Sequence, residues 1–297
     1  MVDIFNPCFI DFYYYLLHWE LAPFVFFRSD IFHVFAFSRE NITACRIRAT
    51  AGRRLQMKSL KIHFEPEDVL ILPLAKNEIL QGLFYRLLSG NEVLSAQIHN
   101  MDPAHGRQLK MFCFSDINGR YRVKDGKIIY TGELSWEIRS IYDEIIDAIS
   151  CTLIENRRFH INRTPCAVTG LCEQARHTLV GGTVQVSTNT PITVYQTNFE
   201  KYREYFTPED GRFYLAVENN LRTKYKILFG EPCREGIGFA KQPGRETKKC
   251  VTRYAGAPIT GFYGDFTLSA PAPIIDIAYY CGIGAKNSQG FGAIQFN

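Results

Sequence analysis

Tyr85, His99 and Lys110 place a phenol, an imidazole and an ammonium within one short stretch of the chain. These groups could cleave an RNA phosphodiester through its own 2′-hydroxyl, with no metal ion. That reaction needs a proton taken from the 2′-oxygen, a proton given to the departing 5′-oxygen, and positive charge beside the phosphorane. Histidine suits both transfers because its free pKa is about 6.5. Tyrosine can donate or accept a hydrogen bond at the same centre, and lysine can offset the added negative charge. Each residue also has a plain structural reading: Tyr85 as an interfacial helix aromatic, His99 as a helix-end cap, Lys110 as an edge-strand lysine. A rival histidine, His105, lies in the polar loop 102–107, where Arg107 is an electrostatic alternative to Lys110.

Near the C-terminus, Gly282, Gly284, Gly290 and Gly292 surround Lys286 and Ser288. Missing side chains let a backbone approach a partner closely. Exposed N–H groups and Lys286 could then meet phosphate oxygens. The same glycines could instead make a tight connection packed against a sheet. Their order matches neither a P-loop nor a dinucleotide fingerprint. A second basic cluster, Lys241, Arg245, Lys248, Lys249 and Arg253, spans a Gly/Pro-containing loop and the strand after it. Alone it reads as a solvated hairpin; beside a nucleic-acid site it becomes a clamp for an RNA stem. Arg222, Lys224 and Lys226 add charge on one expected helix. The chain has no His-Glu-x-x-His and no compact Cys/His group, so neither metal nor cofactor is expected. Glu209 and Asp210 follow Thr207-Pro208 and read as a helix start, with Thr207 capping and the acids in the first turn.

The 297 residues suit two ordinary domains or one large one, and a hydrophobic fraction of 46% supports real cores. A formal charge of +4 gives little long-range attraction to nucleic acid, so an RNA site must be a local patch. The nine cysteines include no Cys-x-x-Cys pair and read as reduced thiols in a cytoplasmic protein. Residues 1–38 hold 13 Phe, Tyr and Trp, interrupted by Glu20, Arg28 and Asp30. Neither a signal peptide nor a membrane span is expected there. Residues 46–54 turn basic, and an ordinary strand pattern begins at Met57. The expectation is that Met57 is the true initiator and residues 1–56 a mis-assigned extension. The alternative is an appendage packing its aromatics on the main body, and intact mass of the natively expressed protein separates the two.

The elements that must position these groups follow from periodicity. Residues 60–64 alternate as a strand, and Ile79 to Leu88 recur at helical spacing behind Asn77 as a cap. A short helix is expected around 93–98, a strand over 109–115 and a tight turn at Asn118-Gly119. Strands follow at 120–123, 127–131 and 134–139, then a helix over 141–154 and strands at 159–161 and 183–187. The pattern restarts near Pro191 with a strand at 192–195. A helix over 211–228 follows, with Leu215, Val217, Leu221 and Tyr225 as candidate buried positions. Strands at 251–254 and 259–268, a helix over 274–280 and a closing strand at 290–296 complete it. The fold class is therefore α+β, on the ferredoxin-like β-α-β-β-α-β plan. The expected division is an N-terminal extension at 1–56, a ferredoxin-like domain at 57–188 and a second at 189–297.

From about Met57 onward the chain resembles the CRISPR-associated repeat RNA endoribonucleases of the RAMP superfamily. The landmarks are Leu80-Gln81-Gly82-Leu83-Phe84-Tyr85, Ile98-His99, Lys110-Met111-Phe112-Cys113-Phe114-Ser115, Thr190-Pro191-Ile192 and the loop 282–292. The resemblance implies two tandem ferredoxin-like (RAMP/RRM-like) domains with a C-terminal glycine-rich loop that binds RNA. It implies metal-independent cutting of precursor CRISPR RNA within the repeat, leaving 5′-hydroxyl and 2′,3′-cyclic phosphate ends. The family's catalytic tyrosine, histidine and lysine fall on Tyr85, His99 and Lys110. The interval before Lys110 is longer than in compact members, so His105 stays beside the favoured His99 as a candidate. Some members bind RNA while cutting poorly, which makes a non-cleaving subunit of an effector ribonucleoprotein the alternative reading. The implied partners are the repeat RNA and effector-complex subunits, with no membrane and a monomeric or homodimeric state.

Overall fold

The computed structural model describes residues 57–89, 110–175, 181–199 and 202–297. The extension 1–56, the helix expected at 93–98, His99, His105 and Arg107 lie outside the described residues.

The first half is built on alternation and helical spacing. β1 (Lys58–Pro66) buries Leu60, Ile62 and Phe64, one face of a period-two strand. β2 (Leu70–Pro73) leads to α1 (Asn77–Leu88), which buries Leu80, Leu83, Phe84, Leu87 and Leu88 along one stripe. Each such burial stabilises the fold by about 1.5–3 kcal/mol. β3 (Phe112–Phe114), β4 (Asn118–Lys124), β5 (Lys127–Ser140), α2 (Asp143–Glu155), β6 (Arg158–Ile161) and β7 (Thr164–Ala175) complete it. β5 is the hub: β1 and β2 pair along one edge, β3 and β4 along the other. β7 lies on the far side of β1, and β6 flanks β7. The order β4-β5-β1-β7, all antiparallel, is ferredoxin-like.

Asn118-Gly119 is not the turn; it opens β4. The turn is Asp125-Gly126, where φ values of 50° and 70° join Lys124 to Lys127 in a two-residue hairpin. The two strands expected at 127–131 and 134–139 are one strand, β5, passing through Gly132 at φ 72°. Asn77 does not cap α1: Lys76 holds the cap position, and the Asn77 side chain is engaged elsewhere.

The second half contains β8 (Gly182–Thr188), β9 (Tyr195–Thr197), β10 (Arg203–Tyr205), α3 (Gly211–Phe229) and β11 (Gly238–Lys241). It continues with β12 (Lys248–Tyr254), β13 (Ala257–Tyr263), β14 (Asp265–Ala270), α4 (Ala272–Cys281), a 3-10 turn (Asn287–Gln289) and β15 (Ile294–Phe296). Its sheet runs β11-β14-β8-β15, the ferredoxin-like order again. The pairs β9–β10 and β12–β13 are hairpins outside that sheet. β8 was expected in the first domain, but its partners are β14 and β15, so the sheets change over before it rather than at 188/189. The strand expected at 192–195 reduces to an Ile192–Phe262 bridge and β9; 259–268 breaks at Gly264; the closing strand shortens to β15. Thr207 is not the cap of α3: the Asp210 carboxylate accepts from Arg212 N at 2.9 Å. Val217 and Leu221 are buried as expected, whereas Leu215 is 58% exposed.

Two cores result. The second takes in Met57, Met111 and Ile141 from the first half, so the halves share packing. Among the described residues no helix is long and apolar enough to cross a membrane.

Candidate active site

α1 sets the geometry. Tyr85 lies on its last turns, half-buried, and the Lys110 ammonium donates to the Tyr85 hydroxyl. The same ammonium lies 4.9 Å from the Tyr85 ring centroid. The aromatics beneath hold the pair: Phe112 stacks on Phe84 at 4.0 Å and meets Tyr85 edge-on at 6.4 Å. The sheet and the helix therefore converge on two of the three expected catalytic groups. His99, His105 and Arg107 lie in the stretch outside the described residues.

The other end of α1 grips the glycine-rich loop. Asn77 Nδ2 donates to the carbonyls of Gln289 (2.8 Å) and Gly290 (3.1 Å), and Gln81 Nε2 donates to that of Ser288 (2.7 Å). Asn77, Gln81 and Tyr85 recur every four residues, so they share one helix face. Gln81 is about 6 Å along the axis from Tyr85. The tip of the β12–β13 hairpin docks on the same face, with Tyr254 donating to Gln81 Oε1 and Ala255 N donating to Glu78. The Tyr254 phenol is pushed above its ordinary range by burial first, then by Glu78 and Tyr85. Sequence reasoning missed Asn77, Gln81 and Tyr254 as positioning residues. The four-residue recurrence of polar side chains ending at Tyr85 was the available signal.

The loop glycines face protein. Gly282, Gly284, Gly290 and Gly292 are all buried with positive φ. A Cβ on Gly284 would sit 2.7 Å from Thr193 O, and one on Gly290 2.7 Å from the Phe114 ring. The N–H groups of Ile283, Ala285, Gln289, Gly290 and Gly292 all bond protein carbonyls. These four glycines thus make the tight connection, and the half-buried Ala285, Lys286, Ser288 and Gln289 are the loop's outward part. Gly292→Ala would push a Cβ to 1.9 Å from Ile283 O at φ 71°. The expected loss is about 1–3 kcal/mol of stability, read as a lower urea midpoint at unchanged slope. An unchanged midpoint would contradict this packing.

The loop is anchored from below. Lys224, 1% exposed, donates to Gly282 O (2.6 Å), Asn287 Oδ1 (2.8 Å) and Cys281 O (3.4 Å). Asn287 Nδ2 in turn donates to Ile283 O and Phe291 O, each at 2.9 Å. Lys224 is therefore no part of a basic surface. Arg222 is also engaged, with the carbonyls of Cys233 and Glu235.

The basic cluster is dispersed. Lys249 and Arg253 point from one face of β12, and Lys248 lies about 20 Å from Tyr254 by strand rise. Lys241 is exposed on the edge strand β11, and Arg245 is 3.6 Å from Asp265. The β12–β13 hairpin ties part of this charge to α1. Among the described residues no group of three His, Cys, Asp or Glu could hold a metal ion.

Residues 174–296 match the family model described as "CRISPR associated protein Cas6, C-terminal". The chain is 24% identical over 246 residues to "CRISPR-associated endoribonuclease Cas6 1" of Methanocaldococcus jannaschii, covering 79% of this chain and 91% of that protein. Solved structures share the fold. One, "Characterization of a Cas6-related gene from Pyrococcus furiosus", gives a TM-score of 0.69 at 19% identity, covering 82% of this chain and 98% of that one. Another, "An RAMP protein binding different RNA substrates", gives 0.69 at 20% identity, covering 81% and 99%.

Proposed function

We propose that this chain, a relative of the Cas6 endoribonucleases, cuts precursor CRISPR RNA within the repeat by 2′-hydroxyl attack and without a metal ion. The observation that carries the reading is the contact of Lys110 with Tyr85, which lies on a helix whose other turns hold the glycine-rich loop. α1 thereby links the Lys110 ammonium to the loop whose outward part carries Lys286 and Ser288. In this reading the first half supplies the chemistry and the second half the RNA contacts. His99 carries one of the two proton transfers, from the 2′-oxygen or to the departing 5′-oxygen, and solvent water carries the other. Tyr85 hydrogen-bonds at the 2′-oxygen, and Lys110 offsets the charge of the phosphorane. The new bond joins the 2′-oxygen to phosphorus, and the P–O5′ bond breaks. The products are a 2′,3′-cyclic phosphate and a 5′-hydroxyl.

The test is cleavage of the cognate repeat RNA in EDTA with the product ends mapped. A single cut with those ends is expected. Tight binding without cutting would move the chain to the non-cleaving subunit reading, and no binding would overturn both. The hairpin charge is tested by salt. Lys248→Ala with Lys249→Ala should flatten the slope of log affinity on log salt by about 1.4–1.8 if both lysines neutralise phosphates. An unchanged slope would make them ordinary solvated lysines.

A further inference from the structure

The β9–β10 hairpin adds no strand to either main sheet, yet it is chemically two-sided. Tyr205 lies opposite Tyr195, and Arg203 opposite Thr197, so these four residues share one face. The two tyrosine rings are 5.4 Å apart and tilted by 54°, and the Tyr205 hydroxyl is fixed by Pro258 O at 3.2 Å. The Arg203 guanidinium lies 5.4 Å from the Tyr195 ring centroid, and Lys286 of the glycine-rich loop reaches the same ring at 5.7 Å. Among the described residues of the hairpin the one acid, Glu204, is on the opposite face, held by Gln196 (2.5 Å) and Arg212 (3.0 Å). Among the described residues, no carboxylate forms an ion pair with Arg203 or Lys286. Burial, and then Arg203, hold the Lys286 ammonium below its ordinary range. Among the described residues this face has two cations and two rings and no carboxylate paired with them.

We propose that Tyr195, Tyr205, Arg203 and Lys286 form a stacking site for one unpaired nucleotide of the bound RNA, its base on the tyrosine pair and its phosphate between the two cations. The proposal deepens the RNA-processing reading and rests on it. Base–aromatic stacking tolerates any base, so the site would grip an unpaired nucleotide rather than read sequence. The structural alternative is that Tyr195 only steadies Lys286.

The test measures affinity for the cognate repeat RNA, intact and with one abasic nucleotide placed in turn at each unpaired position. The proteins are wild type, Y195F, Y195A and R203A. Y195A should bind intact repeat about 5- to 100-fold more weakly, with Y195F close to wild type. One abasic RNA should lose the same factor with wild type and nothing further with Y195A. R203A should flatten the salt slope by about 0.7. If Y195A fails to fold, the wild-type abasic scan and R203A decide. Wild-type Y195A affinity, or a flat abasic scan from a wild type that cuts normally, overturns the stacking site alone. A wild type that neither binds nor cuts the repeat overturns the RNA reading and this proposal together.

Discussion

His99→Ala lowers repeat cleavage in EDTA by about 10²- to 10⁴-fold while leaving RNA affinity near wild type. The expectation follows from the two groups already in place. Lys110 and Tyr85 can bind, polarise and stabilise, yet of the three side-chain types only imidazole ordinarily exchanges protons near neutral pH. Removing it takes away proton transfer in the transition state and few contacts to the ground state. The loss therefore belongs in the single-turnover rate and not in the dissociation constant. His105→Ala should stay within a few-fold of wild type. The reverse pattern, loss in His105→Ala alone, would keep the enzyme and place the acid–base residue on the other histidine. Full activity in both variants would leave the Tyr85–Lys110 pair without its proton carrier and sink the proposed mechanism.

What the sequence made legible divides by physical cause. α1 was readable because its five buried apolar residues recur at helical spacing. β1 was readable because its buried residues alternate. β7 was not, because Thr164–Ala175 mixes small, polar and sulfur side chains and takes its place by pairing along the whole of β1. The β4–β5 hairpin was misplaced because Asn118-Gly119 and Asp125-Gly126 are both good turn pairs, and only the second lets Lys124 meet Lys127. At the site, residue types pointed to Tyr85 and Lys110, whose contact the structure contains. The glycines left two readings open, an RNA contact and a tight connection. Their missing side chains serve close packing against Thr193, Phe114 and Ile283, a long-range fact that no local pattern encodes. Lys224 misled for the same reason: on paper it is one more helix cation, and the fold puts it under the loop.

That buried lysine carries the largest expected effect on stability. Lys224→Met leaves Gly282 O, Cys281 O and Asn287 Oδ1 without their donor, and the expected loss at pH 7 is about 3 kcal/mol. Burial holds the Lys224 ammonium down to about 8, against an ordinary value of 10.5. Below pH about 8 both the folded and unfolded chains carry the proton, and the fold bears the cost of a buried charge. Between about 8 and 10.5 the unfolded chain keeps the proton that the folded chain has released. Stability from this group therefore rises with pH across that window, by up to about 1.4 kcal/mol per pH unit. Other groups pull the opposite way: burial raises the Cys113 thiol to about 11 and the Cys281 thiol to about 12, so the fold retains protons that the unfolded chain loses. Total stability consequently hides the lysine, and the difference between wild type and Lys224→Met reports it together with its coupling to those two thiols. Urea midpoints from pH 7 to 10 should diverge above pH 8, wild type gaining on the variant. Parallel profiles would mean that Lys224 is not the charge beneath the loop. Cleavage should fall in the same variant, because a loop without its anchor no longer presents firm carbonyls to Asn77 and Gln81, and the helix that carries Tyr85 loses its brace.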